Sequence, residues 1–415
     1  MPVATVSCRS SAPESPATLS SSTSTNIGRS KCWLSLVWCP NFAIAGVEAT
    51  PRSGATAPVD RFTCDNGGVN APGLIDELND AAETAGLVAI GVAAVEPFVD
   101  TREVLETRKA EGLHGGMAFT YRDPQRSTDP ARILPGARSL VVGAYPYAAG
   151  AVSEPSFDGP AGRVARYAIT DHYAALRSAL EDVAQVLEAS GHRTRVVLDD
   201  NALVDRAAAQ RAGLGWFGHN ANLLLPGYGS WVVLGSIVTD AQLVPSVPVP
   251  DGCGTCRRCL DGCPTGAIVA PGVVDARRCL AWLVQAEGTF PLEFREALGD
   301  RIYGCDECQE VCPPARRSPQ AKQLIDVEAS WVELLWMLQA DDEALIAQLG
   351  RWYIPRRDPR YLRRNALLAI GNAADPHNVE VRAAVESFAL ADDEMLQEHA
   401  QWSLRRLDER AKALA

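Results

Sequence analysis

Four cysteines in the stretch "CGTCRRCLDGCPTGAI", residues 253–268, constrain this chain more than any other feature. Their spacing is C-x2-C-x2-C-x3-C followed by proline, which is too close for each pair to form a disulfide and is typical of bacterial ferredoxins. In that pattern the first three thiolates bind one [4Fe–4S] cluster and the fourth binds a second cluster. The spacing therefore predicts that further cysteines follow downstream.

Four such cysteines do follow, one in "DARRCLAWL" and three in "YGCDECQEVCP". Because ligands cross between the segments in two-cluster ferredoxins, the last cysteine should join the first three of the run. Structural zinc, the alternative, usually takes two separated C-x2-C pairs and does not explain two Cys-Pro endings. The predicted ligand sets are Cys253, Cys256, Cys259 and Cys312 for one cluster, and Cys263, Cys279, Cys305 and Cys308 for the other.

The size and charge of the chain limit its class. Its 415 residues suit two or three domains, and 47% hydrophobic residues suffice for ordinary cores. The net charge of −12 means that any nucleic-acid binding requires a local basic patch. Thiolates reserved for clusters favour a reducing compartment, so we expect a cytoplasmic protein.

Residues 1–71 differ from the rest of the chain. The stretch "SSAPESPATLSSSTSTNIG" is rich in Ser, Thr, Pro and Ala, and we expect a disordered leader or a start assigned too far upstream. A signal peptide is the alternative, because a short apolar run ends near Ala43-Ile44-Ala45. The polar start is too long for that reading, the run is too short to span a membrane, and no twin-arginine signal precedes it.

Three regions follow the leader. Residues 72–245 alternate irregularly between helix and strand patterns, which predicts an α+β fold with an α/β-type domain. The Pro-rich linker "VPSVPVPDG" opens a two-cluster ferredoxin-like module over 246–318. Residues 319–415 read as paired amphipathic helices similar to HEAT repeats.

A basic segment, "RWYIPRRDPRYLRRN", lies within the helical region. Its arginines face one acid, Asp358, and alternate with aromatic residues such as Trp352 and Tyr361. A solvated helix face is the alternative, but in an acidic chain this concentration favours phosphate contacts, with aromatic rings packed on riboses or bases. The predicted nucleic-acid contacts are Arg356, Arg357, Arg360, Arg363 and Arg364.

Two clusters form a one-electron relay, and a relay needs an acceptor. Residues 72–245 contain no G-x-G-x-x-G after a strand and no further Cys/His ligand set. We therefore expect this domain to hold an organic or organometallic cofactor by shape.

The chain resembles the epoxyqueuosine reductase family from about Leu74 to its end. The resemblance rests on "GMAFTYRDP", "AGLGWFGHNANLLL", "GSWVVLGSIVTD", "RRNALLAIGN" and the whole cysteine module. It implies cobalamin and two [4Fe–4S] clusters, which reduce the epoxide of epoxyqueuosine at the wobble position of tRNA to give queuosine. It further implies that residues 72–245 bind cobalamin and that residues 319–415 bind tRNA. The electrons are expected to come from an external low-potential donor. The protein is expected to be a monomer that does not bind a membrane.

The resemblance also implies site residues. The family's proton donor corresponds to Asp199, thirteen residues before the Ala of "AGLGW". This chain departs from the family there, since Asp200, Asn201 and Ala202 replace two small residues and a proline. Asp200 is therefore a second candidate for the proton donor. The alternative is an Asp pair that only caps the next helix. Cobalamin contacts are expected from Arg122, Asp199, Asn222, Cys308 and Gln309.

Two other functions fit the cysteines. A reductive dehalogenase also pairs cobalamin with two clusters, although such proteins usually carry a twin-arginine leader and lack a helical tail. A non-catalytic electron carrier would bind no corrin and would not need Asp199. Corrin absorption beside the broad cluster absorption would favour an enzyme, whereas clusters alone would favour the carrier.

Overall fold

The computed structural model describes residues 73–415, so the prediction for the leader, residues 1–71, lies outside the described residues. The strands of the described part are β1 (Ala89–Ala94), β2 (Ser139–Pro146), β3 (Ala161–Val164), β4 (Thr194–Leu198), β5 (Trp216–Phe217), β6 (Leu223–Leu224), β7 (Val232–Thr239), β8 (Ile268–Ala270), β9 (Val273–Val274), β10 (Arg301–Tyr303) and β11 (Trp331–Glu333).

Helices surround these strands, and short 3₁₀ turns connect several of them. The α-helices between residues 73 and 415 are α1 (Leu74–Thr84), α2 (Val99–Ala110), α3 (Pro124–Ser127), α4 (His172–Ala189), α5 (Asp205–Arg211), α6 (Arg258–Asp261), α7 (Leu280–Leu283), α8 (Arg295–Leu298), α9 (Glu307–Glu310), α10 (Pro313–Arg317), α11 (Leu334–Gln339), α12 (Asp342–Leu349), α13 (Arg360–Ala373), α14 (Val379–Ala389) and α15 (Glu394–Leu414).

The central sheet has the order β1-β2-β7-β4, and its neighbouring strands are all antiparallel. Ser139 of β2 pairs with Thr239 of β7, and Thr194 of β4 pairs with the same residue from the other side. An α/β-type domain would have parallel strands joined by crossover helices. The prediction of an α+β fold therefore holds, but its α/β-type description of the first domain is wrong.

Both faces of this sheet are covered. Successive side chains of β2 point to opposite faces, and apolar residues occupy both sets of positions. Leu140 and Val142 point into a core shared with α2 and α5, whereas Val141 points into a core shared with α1 and α4. The sheet is thus the middle layer of three. The outer edge of β1 is bonded to Ser246, whose backbone N–H donates to the Val92 carbonyl at 2.9 Å. Among the described strands β4 pairs only with β7, so its other edge is open.

Close packing of α4 on the sheet depends on two paired glycines. Gly143 and Gly235 face each other across β2 and β7. A Cβ atom at either position would lie 2.9 or 2.7 Å from a methyl group of Leu180. Side chains there would push α4 off the sheet. These positions therefore require glycine because there is no room for a Cβ atom, and not because of their backbone angles.

A second sheet, of order β10-β3-β11, joins the three regions expected from sequence. β3 comes from 72–245, β10 from 246–318 and β11 from 319–415, and β3 pairs with both of the others. The boundaries of the regions stay a prediction. The backbone hydrogen bonds of this sheet show that each region contributes a strand to one shared sheet.

The C-terminal helices share one core with this second sheet. Leu362, Leu367 and Ile370 of α13 are almost fully buried there, between α11 and α15. A HEAT-like repeat remains a prediction for this region. None of the helices within residues 73–415 combines the length and the apolar character needed to cross a membrane.

Candidate redox centre and active site

The first group of thiols comes from two distant segments. Burial, together with the nearby thiols of Cys312 and Cys253, raises the pKa of Cys259 to about 12. Burial also raises the pKa of Cys312, and the thiols of Cys253 and Cys256 contribute to that rise. The fold therefore places Cys312 beside the first three cysteines of the run, as ligand crossing requires.

The second group contains the remaining four thiols. Burial raises the pKa of Cys305 to about 12, with Cys279 contributing, and that of Cys279 to about 11, with Cys263 contributing. The pKa of Cys308 is raised well above its usual value by burial and by Cys305 and Cys279. Its neighbours also include Cys259, so Cys308 lies where the two groups approach each other.

These groups fit iron–sulfur clusters. All eight cysteines are free of disulfides, and burial disfavours a bare thiolate, so they suit ligands whose charge is balanced by iron. Over residues 73–415 no three or more His, Cys, Asp or Glu side chains are placed to hold one metal ion. A four-iron cluster keeps its thiolates further apart than a single ion does. The backbone N–H of Ala267 donates to Cys263 Sγ at 3.2 Å, a contact that would stabilise a thiolate ligand.

A cleft of about 1190 Å³, its open mouth included, lies between the central sheet and the second thiol group. Most of its exposed surface is apolar, from side chains such as Leu223, Val232 and Ile268, and polar side chains are interspersed along the wall. All four thiols of the second group lie on this wall. A cleft of this size and character suits a large organic cofactor held against a cluster, which is what cobalamin would require.

Polar contacts join the β6–β7 region to the second thiol group. Asn222 Nδ2 lies 4.0 Å from Cys308 Sγ, and Asn220 Nδ2 donates to the Cys308 carbonyl at 3.2 Å. The Ser230 hydroxyl donates to Gln309 Oε1 at 2.9 Å. The structure therefore brings Asn222, Cys308 and Gln309 together on the cleft wall. Asn220 and Ser230 were missed from the sequence, although Asn220 is two positions from a residue that was chosen.

A buried ion pair supports the same cluster loop. Arg166 donates to Asp306 at 3.1 Å and to Glu310 at 2.5 Å, and Asp306 lies between two cysteines of the second group. The guanidinium of Arg166 also sits 5.5 Å from the ring centre of Trp231. Asp306 could be noticed from its position in "GCDEC", but no local pattern marks Arg166, which is 140 residues away.

Asp199 occupies a strained turn directly after β4. Its φ is +48°, a region that few residues other than glycine adopt. The side chain of the almost fully buried Asp205 accepts a hydrogen bond from the Asp199 backbone N–H, and burial raises the pKa of Asp205 well above its usual value. The next residue, Arg206, lines the cleft and donates to the Ala221 carbonyl at 2.9 Å. The turn is thus anchored to the cleft through the start of α5.

Two predicted contacts are not on the cleft wall in this structure. Asp199 is half-buried in its turn, and Arg122 is exposed, with its carbonyl accepting from Lys109. Neither lines the cleft. Asp200 is exposed and accepts the backbone N–H of Ala202 at 2.8 Å, so its carboxylate is used in the turn itself. The roles of Asp199, Asp200 and Arg122 stay predictions.

The basic segment is only partly as expected. Arg356 forms an ion pair with Glu287, and Arg360 pairs with Asp358 and Asp393 at 2.6 Å each. The Arg363 side chain is 12% exposed and pairs with Asp342. The exposed Arg357 donates to a backbone carbonyl, Gly350 O, at 3.0 Å. Most of the positive charge in this segment is therefore balanced within the protein.

Two features predicted for this segment are wrong. Arg364 has no exposed surface, because its guanidinium donates to the backbone carbonyls of residues 283–288, so it cannot contact RNA. Trp352 and Tyr361 are 4% and 8% exposed, and Trp352 stacks on Tyr303 at 4.5 Å between ring centres. These rings belong to the core and are not available to pack on bases.

Arg364 is instead expected to stabilise the fold. Burial lowers its pKa to about 10, which leaves it charged at neutral pH. Arg364→Met should lower the free energy of unfolding by about 3 kcal/mol, because several buried carbonyls lose their donor. Anaerobic urea unfolding followed by circular dichroism measures this loss. Arg405→Met, at an exposed position of α15, is the control and should change the free energy of unfolding little. An equal loss in both variants would contradict the structural role of Arg364.

The fold and this site define a class: an iron–sulfur oxidoreductase in which two clusters lead to a cofactor cleft. Residues 252–315 match the model of the 4Fe-4S double cluster binding domain, and residues 127–200 match that of epoxyqueuosine reductase QueG, DUF1730. The chain belongs to the epoxyqueuosine reductase family.

Relatives and solved structures agree with this assignment. The chain is 31% identical to the epoxyqueuosine reductase of Vibrio cholerae, over 80% of this chain and 91% of that one. It is 35% identical to that of Xanthomonas campestris, over 78% and 93%. A crystal structure of epoxyqueuosine reductase with an epoxyqueuosine-modified tRNA-Tyr stem loop matches with a TM-score of 0.73 and 30% identity, covering 83% of this chain and 92% of that chain. This membership sets aside the dehalogenase and electron-carrier alternatives.

Proposed function

We propose that this chain reduces the epoxide of epoxyqueuosine, at the wobble position of tRNA, to give queuosine. The observation that carries the proposal is the cleft whose wall contains the four thiols of the second group. The similar structure bound to a modified tRNA stem loop supports the choice of substrate. The reaction consumes two electrons and two protons, breaks both epoxide C–O bonds, and leaves a carbon–carbon double bond and water.

The cofactors of this reaction are cobalamin and two [4Fe–4S] clusters. When bound, cobalamin supplies a strong cobalt nucleophile for the epoxide, and the clusters supply electrons one at a time. Asn222, Cys308 and Gln309 would help to hold the cobalamin, and the apolar surface of the cleft would exclude water. Arg122 is proposed as a further contact on the cobalamin side.

Asp199 is proposed to donate the proton that the departing epoxide oxygen needs. Its turn lies outside the cleft wall here, so it must move inward to reach the substrate. A structure of epoxyqueuosine reductase from Bacillus subtilis, 29% identical with a TM-score of 0.70, has its catalytic Asp loop swung out of the active site. The positive φ of Asp199 supports the proposal that this turn is the corresponding mobile element, which would break its hydrogen bond to Asp205 when it moves.

The remaining parts of the proposal concern regions and partners. Residues 72–245 would bind cobalamin, 246–318 would carry the clusters, and HEAT-like helices over 319–415 would contact tRNA. An external low-potential donor would reduce the clusters, and the enzyme would act as a monomer. Thiol-ligated clusters favour a reducing compartment such as the cytoplasm.

Anaerobic incubation with epoxyqueuosine-containing tRNA, cobalamin and a strong reductant tests the activity directly. Digestion to nucleosides followed by mass spectrometry should show queuosine replacing epoxyqueuosine. Omitting cobalamin is the control and should leave the epoxide intact. A protein with both clusters and bound corrin that makes no queuosine would contradict the proposal.

The basic segment should contribute modestly to tRNA binding. Arg356 and Arg357 adopt positive φ values of 53° and 56°, a strained arrangement that is more common at functional sites. Replacing Arg356, Arg357 and Arg360 with Gln should weaken binding by about 3- to 10-fold, since two of the three already have acidic partners. Filter binding at several salt concentrations measures this, and unchanged affinity would make the segment a solvated face.

A further inference from the structure

Four arginines from four separate segments line a second pocket of about 790 Å³, its open mouth included. Arg126 belongs to α3, Arg132 to the 3₁₀ turn after it, Arg177 to α4 and Arg195 to β4. Their positions in the sequence are scattered, so no local pattern marks them. The pocket follows the open edge of β4 and ends at Asp200 and Ala202.

This pocket holds positive charge that the protein does not balance. Within the described residues, the guanidinium groups of Arg126, Arg177 and Arg195 have no ion pair or hydrogen bond, and all three side chains are exposed. Arg132 pairs with Asp129 at 3.1 Å, and Asp200 is the acid on the pocket wall. Unbalanced cations concentrated in one concave surface of a −12 chain favour a polyanionic ligand.

Protection of the sheet edge does not explain the cluster. A charged side chain on an edge strand such as β4 hinders pairing with another chain, and Arg195 could do that alone. Arg126, Arg132 and Arg177 lie on other elements and converge on the same space. Four guanidinium groups can hold more than one phosphate, since each offers a planar fork of donors.

The position of the pocket connects it to the reaction. Asp200 and Ala202 on its wall belong to the turn that contains Asp199. The same turn is bonded to Asp205, whose neighbour Arg206 lines the cofactor cleft. One turn therefore separates the arginine pocket from the cleft. If an RNA strand places the reacting nucleotide in the cleft, the phosphates next to that nucleotide would lie near the arginine pocket.

We propose that the pocket formed by Arg126, Arg132, Arg177 and Arg195 binds phosphodiester groups of the RNA strand next to the reacting nucleotide. The inference rests on the proposed function and names a second RNA contact, apart from the basic segment. Phosphates held there would also hold the RNA against the Asp199 turn, so binding and placement of the proton donor would be coupled.

The test compares two sets of substitutions in the full-length, cluster-containing protein. Arg126→Gln, Arg177→Gln and Arg195→Gln together remove the unpaired charges of the pocket. Arg102→Gln, Lys109→Gln and Arg316→Gln remove the same number of positive charges from α2 and α10, outside both the pocket wall and the helices proposed to contact tRNA, and form the control. Fluorescence anisotropy with a labelled anticodon stem–loop RNA carrying epoxyqueuosine reports affinity across a salt series, and absorption spectra report clusters and cobalamin.

The pocket variant should bind the RNA at least about 10-fold more weakly at low salt. Its slope of log K against log salt should fall by about 2, because each phosphate contact on a single strand contributes about 0.7. The control variant should stay near the wild type. Replacing the same three arginines with Lys should restore most of the slope, since that change keeps the charge.

Other outcomes overturn the inference in distinguishable ways. Wild-type affinity in the pocket variant would show that the pocket does not bind RNA. Loss of cobalamin with unchanged RNA affinity would assign the arginines to the phosphate of the corrinoid's nucleotide tail. Failure of the wild-type protein to bind the stem–loop would overturn this inference and the proposed function together.

Discussion

Replacing Asp199 with Asn is expected to lower turnover of epoxyqueuosine-containing tRNA by roughly 10²-fold or more, the usual scale for losing a general acid. The substitution keeps the shape of the side chain but removes its transferable proton. Asn also tolerates the positive φ of +48° at this position, so the turn should keep its conformation. Cluster content, cobalamin binding and RNA affinity should be unchanged.

Single-turnover assays under anaerobic conditions measure this effect, and Asp200→Asn is the matched control. Asp200 accepts the Ala202 N–H and is exposed, so its loss should loosen the turn and cost much less activity. If Asp200→Asn is inactive while Asp199→Asn turns over normally, the proton donor is shifted by one position in this chain. Activity in both variants would mean that the proton comes from solvent or another residue.

Cys312→Ser should remove the cluster held by Cys253, Cys256 and Cys259 and leave the cluster of its nearer sequence neighbours in place. The structure places the Cys312 thiol beside Cys253 and Cys256, and serine is a poor substitute for a buried thiolate ligand. Iron content should fall by about half, and queuosine formation should be abolished because one step of the electron relay is missing.

Iron analysis and electron paramagnetic resonance of the reduced protein distinguish the two clusters. Cys308→Ser provides the comparison, since it should damage the cluster nearest the cleft and leave that of Cys253 intact. Equal loss of both clusters in both variants would indicate that the module folds only with both. Loss of only the cluster of Cys305 and Cys308 after Cys312→Ser would overturn the assignment.

Prediction from sequence worked best where chemistry imposes a short, rigid spacing. Three thiols of the cysteine run are predicted to bind one cluster and the fourth to bind the other, and this pattern follows from local spacing. The match of residues 252–315 to a 4Fe-4S double cluster binding domain confirms the two-cluster module. The alternation of helix and strand patterns over 72–245 is also a local signal, and elements of both kinds, such as α4, β2 and β7, are present there. Strand direction is not local, and the sheet was wrongly expected to be α/β-type because alternating helices suggested parallel strands.

The site was harder to predict because its parts meet only in three dimensions. Asn222 was chosen by resemblance, whereas Ser230 and Arg166 were not, although each makes a hydrogen bond that supports the second cluster loop. Asp199 was found by counting along the chain, but only the fold shows that Asp205 anchors its turn. Hydrogen bonds between side chains far apart in sequence leave no periodic pattern.

The sequence by itself determined the two-cluster module and the family, because closely spaced cysteines and several ordered motifs each carry their meaning locally. Only the tertiary structure decided where positive charge is available to RNA. Arg356 looked free in the sequence but meets Glu287, 69 residues away, and Arg364 is enclosed by carbonyls. Arg126, Arg177 and Arg195 looked unrelated but share one pocket. The electrostatic field at a protein surface depends on which charged side chains the fold brings together and which it neutralises in ion pairs. Residues that do this can be far apart in the sequence, so the sequence alone does not show it.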